Sequence, residues 1–255
     1  MAALKDDLPT AMIAAAFAGI SWYIGVELNV RLYMSRLRRS GLYFASVLLC
    51  SWGVLSQPVL ILLVNFGIWK PSPGSITAIY LSWWILVVPQ SFVLYSRLHL
   101  FIPDARLRWI LYLIVFNAIV FSIPTVVVGV LAQSVLASKL TKPNLALDKA
   151  QLAVFFTQET FLSLLYIRET RVHLKRVAPL HDNESAHRRV MHHLILINIF
   201  IICLDISLIG VCYSSLFYVQ GHYKPCVYAI KLRLEFTILN DLRTTLQASL
   251  ESARA

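Results

Sequence analysis

An all-α, polytopic membrane protein folded as a seven-helix transmembrane bundle is the class the sequence predicts, and three observations carry that expectation. Hydrophobic residues make up 58% of the chain and charged residues 14%, a balance far more apolar than that of soluble domains. The apolar residues gather into seven runs, each near the roughly 20 residues a helix needs to cross a bilayer. The basic residues gather at alternate ends of those runs, the pattern that orients membrane chains with positive loops in the cytosol.

The seven spans are expected at about 10–32, 42–68, 76–99, 109–132, 151–172, 190–217 and 226–246, lengths that suit membrane helices with modest tilt. The first runs from Pro9 to a basic cluster, Arg31 to Arg39, and carries Glu27 near its end. Asp6 and Asp7 precede it and no small-residue cleavage site interrupts it, so it reads as a retained span and not as a signal peptide. Gly41 and Lys70 bound the second, Pro73 and Arg97 the third. The fourth starts after Arg108, and the fifth lies between Lys149 and Lys175. The sixth follows Arg188 and Arg189, and the seventh follows Pro225. Lys231, Arg233 and Glu235 make the seventh the least apolar. No internal repeat or linker divides residues 1–255, so a single transmembrane domain is expected.

The connectors after spans one, three and five, with the region from Lys231 onward, hold 17 of the 23 Lys and Arg residues. The opposite side holds the other 6, at Lys5, Lys70, Lys139, Lys142, Lys149 and Lys224. This asymmetry predicts an N-terminus outside, or lumenal, and a cytosolic C-terminus. The sequon Asn183-Glu184-Ser185 then lies in the cytosol and stays unglycosylated. A net charge of +10 is spent on topology, with no basic soluble face to bind nucleic acid. Cys50, Cys203, Cys212 and Cys226 form no CxxC and imply neither a disulfide framework nor a zinc site.

Intramembrane acids are costly, about 2.5 kcal/mol or more on insertion scales, and tend to face the bundle interior. Glu159, Asp205 and Glu235 all fall within about three residues of their span midpoints, a depth difference of roughly 5 Å, and Gln90 is at similar depth. Residues three, four or seven apart share a helix face. On that basis Trp83, Gln90 and Arg97 line one stripe, and Glu159 and Tyr166 another. Asn198, Asp205 and Cys212 with Tyr213 form a third, and Tyr228, Lys231 and Glu235 a fourth. Such stripes predict a polar, aromatic-lined cavity. The plainer alternatives are a structural Lys231–Glu235 ion pair and an Asp205 that bonds Asn198 or a tyrosine hydroxyl to pin the packing.

His187, His192 and His193 have a spacing superficially like the histidine boxes of membrane di-iron enzymes, which need more imidazoles than the seven histidines of this chain supply; no metal is expected. A retinal Schiff base at Lys231 is disfavoured, since Gln90 stands where an acidic counter-ion would be needed. The D-R-Y and N-P-x-x-Y signatures of rhodopsin-type receptors are replaced by YSRLHL and YAIKLRLEF.

YSRLHL at Tyr95 to Leu100, QETFLSLLYIRET at Gln158 to Thr170, LDISLIG in the sixth span and YAIKLRLEF at Tyr228 to Phe236 together resemble a large family of fungal seven-helix integral membrane proteins. The resemblance covers about 10 to 245. It implies the fold and a fungal origin, and transfers no catalytic role because that family carries no assigned activity. By size and layout alone the chain is similar to the membrane-bound terpene cyclases of fungal secondary metabolism.

Two functions are therefore expected. The preferred one is a metal-independent, cofactor-free terpene or meroterpenoid cyclase acting on a lipophilic, prenylated or epoxidised isoprenoid. A carboxyl buried in hydrocarbon favours its protonated form and can protonate an epoxide or alkene, and aromatic faces stabilise the carbocation. Asp205 or Glu159 would be the acid, with Glu235 held ionised by Lys231 and Glu27 auxiliary. Gln90, Trp83, Tyr166, Asn198, Tyr213, Tyr228 and Lys231 would line the substrate. The alternative is a receptor-like sensor of a small lipophilic ligand. Short loops favour the endoplasmic reticulum over the plasma membrane.

Overall fold

The computed structural model describes residues 8–34, 41–70, 72–99, 104–132, 137–177, 184–214 and 217–252. Among these residues the chain is helical without strands: α1 (Leu8–Met34), α2 (Leu42–Asn65), α3 (Pro73–Leu98), α4 (Asp104–Ala132), α5 (Ala137–Val177), α6 (Glu184–Tyr213) and α7 (Phe217–Ser252). α1, α2 and α3, with Leu107–Ala132 of α4, Pro143–Val172 of α5 and His192–Tyr213 of α6, are long and apolar enough to cross a membrane. The protein is thus a multi-pass helical membrane protein. Asn183 of the sequon lies outside the described residues.

α7 is absent from that apolar set, and its charges are the reason: Lys224, Lys231, Arg233 and Glu235 fall within about three turns of one another. It nevertheless packs against α1, α2, α3 and α6, so it is an interior helix that buries Lys231 and Glu235 against protein. Hydropathy scores lipid-facing surface; a helix enclosed by its neighbours escapes that test.

Several helices run beyond the expected spans: α4 starts at Asp104, α6 at Glu184 and α7 at Phe217 instead of near 109, 190 and 226, with Pro225 inside α7 and not before it. α5 begins at Ala137 instead of near 151, and α7 extends to Ser252 instead of stopping near 246. In both places leucine, alanine and lysine or glutamine, all good helix formers, continue the helix past the apolar zone. The α2–α3 connection is short and well capped. Gly67 adopts the left-handed conformation (φ 70°) just past α2, and the last α2 carbonyls accept from the Phe66, Gly67 and Trp69 amides. Ser72 caps α3 by accepting from the Ser75 amide at 3.2 Å, while Ser75 Oγ accepts from the Ser72 amide at 2.9 Å, a reciprocal capping box with Pro73 at the first helical position.

The two helices then approach closely. A Cβ on Gly53 would lie 2.8 Å from the Leu86 backbone nitrogen, so only glycine lets α2 and α3 meet there. The main core is built from Ile24 and Leu28 of α1, Val47 and Val54 of α2, Leu86 and Val93 of α3, and Val227, Leu232 and Phe236 of α7, with Phe155 of α5 joining from the far side. On α4 the large exposed side chains Trp109, Tyr112, Phe116, Ile119, Ile123 and Val127 recur every three or four residues, an apolar face that suits lipid contact.

Candidate functional site

Five charged side chains lie between α3, α5, α6 and α7, each at most 3% exposed: Arg97, Glu159, Asp205, Lys231 and Glu235. Groups so enclosed have no bulk water to solvate them and must satisfy one another. Lys231 is the hub. Its ammonium donates to Asp205 Oδ1 at 2.6 Å and to Glu159 Oε2, tying α7 to α6 and α5 at once. It also stands 5.0 Å from the Tyr228 ring centre, one turn back on α7. The Tyr228 hydroxyl reaches Glu159 Oε1 at 3.5 Å.

Glu235, one turn further along, faces the other way. It accepts from Gln90 Nε2 at 3.0 Å and stands 3.9 Å from Arg97 Nη1, both on α3. Arg97 lies 4.4 Å over the Tyr166 ring, which brings in α5. Cys50 of α2 closes the set, its thiol donating to Leu86 O at 3.3 Å and Gln90 Oε1 at 3.4 Å. The satisfaction is incomplete: among the described residues, Asp205 Oδ2, Glu235 Oε2 and the three guanidinium nitrogens of Arg97 have no hydrogen-bond partner. With all five groups ionised the set carries one negative charge in excess.

Of the three acids expected to converge on one chamber, Glu159 and Asp205 meet at Lys231 while Glu235 turns to α3, so they share no single void and their partners differ from expectation. Lys231 pairs with Glu159 and Asp205, not with Glu235, because its side chain crosses to α5 and α6 while Glu235 turns toward α3. Asn198 is buried yet donates to its own helix, at Leu194 O (2.7 Å), and does not hold Asp205. Glu27 is separate from the network, 18% exposed and paired with Arg31 at 2.7 Å and Arg233 at 3.2 Å. Tyr213 is mostly exposed, with Lys149 5.2 Å from its ring centre. His192 and His193 are exposed, and the described residues contain no group of three or more His, Cys, Asp or Glu placed to hold a metal ion.

A cavity of about 220 Å³ lies between α2, α3, α5 and α7. Gln57, Ile61, Val64 and Asn65 form its α2 wall and Ile76, Ile79, Tyr80 and Trp83 its α3 wall. Asp148, Gln151 and Leu152 face it from α5, and Gln220, Gly221 and Lys224 from α7. Trp83 is the one anticipated residue that lines it, with its ring edge-to-face on Phe155 at 6.1 Å. The buried acids do not line it: the network lies seven residues further along each shared helix, Trp83 to Gln90, Leu152 to Glu159 and Lys224 to Lys231, which is about 10 Å. Cavity and network are thus two storeys of one bundle.

Sequence reasoning missed Asp148 and Lys224 because both sat in segments taken for connectors. It missed Gln57 because a lone amide in an oily run gives no periodic signal.

Fold and site together define a class: a multi-pass helical membrane protein with an ionic network buried at mid-bundle and a small polar-edged cavity two turns away. Within that class the chain belongs to the family described as Domain of unknown function (DUF7703), whose profile matches residues 4–254. No curated protein and no solved structure matches the chain.

Proposed function

We propose that the protein is a seven-span, receptor-like sensor that takes a small molecule into the cavity between α2, α3, α5 and α7 and passes its occupancy to the ionic network below. The observation that carries this reading is the stacking of cavity over network on the same three helices, α3, α5 and α7. A ligand that moves any of these helices moves a partner in the network, and a ligand shifts a conformational equilibrium only through such a difference in contacts. The cavity is smaller than the roughly 300–1,000 Å³ of drug-sized sites, so the ligand is small. With the N-terminus outside, the cavity lies in the outer or lumenal half and the network at mid-bundle beneath it.

The cyclase expected from sequence is supported less well. Its acid must touch substrate, yet Glu159 and Asp205 are engaged by Lys231 and Glu235 by Gln90. The carboxyl group that lines the cavity is that of Asp148. The two readings separate on one variant. Asp205→Asn removes the acid while keeping the shape, so in a sensor it leaves ligand binding intact with altered affinity, measured by quenching of Trp83 against a Trp83→Phe control. Microsomes fed a panel of prenylated epoxides are expected to yield no cyclised product. A product made by the native chain and lost in Asp205→Asn overturns the sensor reading.

A further inference from the structure

Asp148 and Lys224 line the cavity from opposing helices, α5 and α7. Both are half-buried, and neither makes a hydrogen bond or an ion pair within 4 Å among the described residues. The rest of the lining mixes apolar side chains, Ile61, Val64, Trp83 and Leu152 among them, with the uncharged polar groups of Asn65, Tyr80, Gln151 and Gln220. Gln57, also lining the cavity and 3% exposed, leaves its carbonyl oxygen Oε1 without a hydrogen-bond partner. A buried amide oxygen without a partner is rare and marks a place where something else belongs.

We infer that the cavity takes a small zwitterion, with its ammonium against Asp148, its acid group against Lys224, its apolar body along Trp83 and the α2 wall, and a donor to Gln57. This rests on the sensor reading and names its ligand class. The alternatives each leave a group unmet. A hydrocarbon chain would satisfy neither charge nor the amide, and a lone cation or anion would satisfy one charge and strand the other. A zwitterion satisfies both and adds no net charge to the membrane interior. A free amino acid and an aminophospholipid headgroup share this chemistry, and the test separates them.

The full chain in an uncharged maltoside detergent is titrated with four probes that share a phenyl ring: phenylalanine, 3-phenylpropanoate, phenethylamine and benzyl alcohol. Short-chain phosphatidylethanolamine is the fifth. Thermal protection and Trp83 quenching are read together. Because charge-assisted hydrogen bonds contribute enough for about a tenfold change in affinity each, a zwitterion is expected to protect at a concentration about tenfold or more below either single-charge analogue. Asp148→Asn should erase the advantage over 3-phenylpropanoate and Lys224→Met the advantage over phenethylamine. Protection by phenylalanine places the source in solution; protection by the phospholipid alone places it in the bilayer, and either supports the inference. Equal protection by a single-charge analogue, or unchanged preference in both variants, overturns it. If benzyl alcohol alone protects, the zwitterion falls while the sensor reading stands. If no probe protects and filling the cavity with Gly221→Leu also leaves stability and Trp83 emission unchanged, both fall. At that position an added Cβ meets Ile61 at an ordinary 3.7 Å, and the rest of the leucine takes up cavity space.

Discussion

At the scale of single residues the network turns on Lys231, which compensates two buried acids on two helices. Removing one partner of a buried ion pair leaves a charge with neither water nor counter-ion, a loss of about 3–5 kcal/mol. Lys231→Met is therefore expected to lower stability by about that much, measured as the unfolding free energy in detergent micelles. Asp205→Asn should behave differently. It removes the excess negative charge, leaves Lys231 its contact with Glu159, and replaces a carboxylate whose Oδ2 already lacks a partner. Its cost is expected to stay within about 1 kcal/mol, the net scale of one ordinary hydrogen bond. If the two variants are equally destabilising, the hub is not Lys231. The sequence made the membership of this cluster legible, because acids at span midpoints are rare and depth can be counted along a helix. The pairing was not legible, since spacing reveals neighbours on one helix while partners across helices depend on how each is rotated. Arg97 shows the limit: it counted both as a cytosolic topology signal and as the end of the Trp83–Gln90 stripe, and the structure buries it against Tyr166 and Glu235.

At the scale of elements the contacts between helices, more than the helices themselves, carry the information. Gly53 lets α2 lie against the α3 backbone, and Gly53→Ala must push the two helices apart; overpacking of this kind costs about 1–3 kcal/mol. Gly19 of α1 and Gly210 of α6 supply the control, because a Cβ at either position meets nothing within 4 Å. Alanine at those sites is expected to be neutral or stabilising by roughly 0.5–1 kcal/mol, from the smaller entropy lost on helix formation. Thermal unfolding of the three variants in one detergent tests the contrast, and a Gly53→Ala protein as stable as Gly19→Ala would remove the close approach from the account. None of this was legible beforehand. The apolar runs gave the helices to within a few residues at most ends, yet a glycine in a membrane span looks the same whether its missing Cβ faces lipid or a neighbouring backbone. The cavity escaped for a related reason: its walls combine ordinary isoleucines and glutamines from four separate helices, and no stretch of chain announces it.

For the whole molecule the topology turns on α7, because six spans place the two chain termini on one side of the bilayer and seven place them on opposite sides. Hydropathy alone favours six. Length and packing favour seven. The 36 residues of α7 extend about 54 Å at 1.5 Å per residue, well beyond the ~30 Å hydrocarbon core. Its contacts with α1, α2, α3 and α6 keep it beside spanning helices, and its buried charges have partners at mid-bundle depth, Glu159 and Asp205 for Lys231 and Gln90 for Glu235. A helix lying on the surface could not bring Lys231 to Glu159, which is sixteen residues into Pro143–Val172 of α5. A tag placed before α1 is therefore expected on the outer or lumenal face and one placed after α7 in the cytosol, with Asn183 unglycosylated and an acceptor sequon built into residues 133–136 glycosylated. Protease protection of the two tags in sealed microsomes reads the first pair, and a mobility shift on glycosidase treatment reads the second. Both tags on one face would mean that α7 does not span, and the cavity and network would then lose the wall that α7 gives each of them.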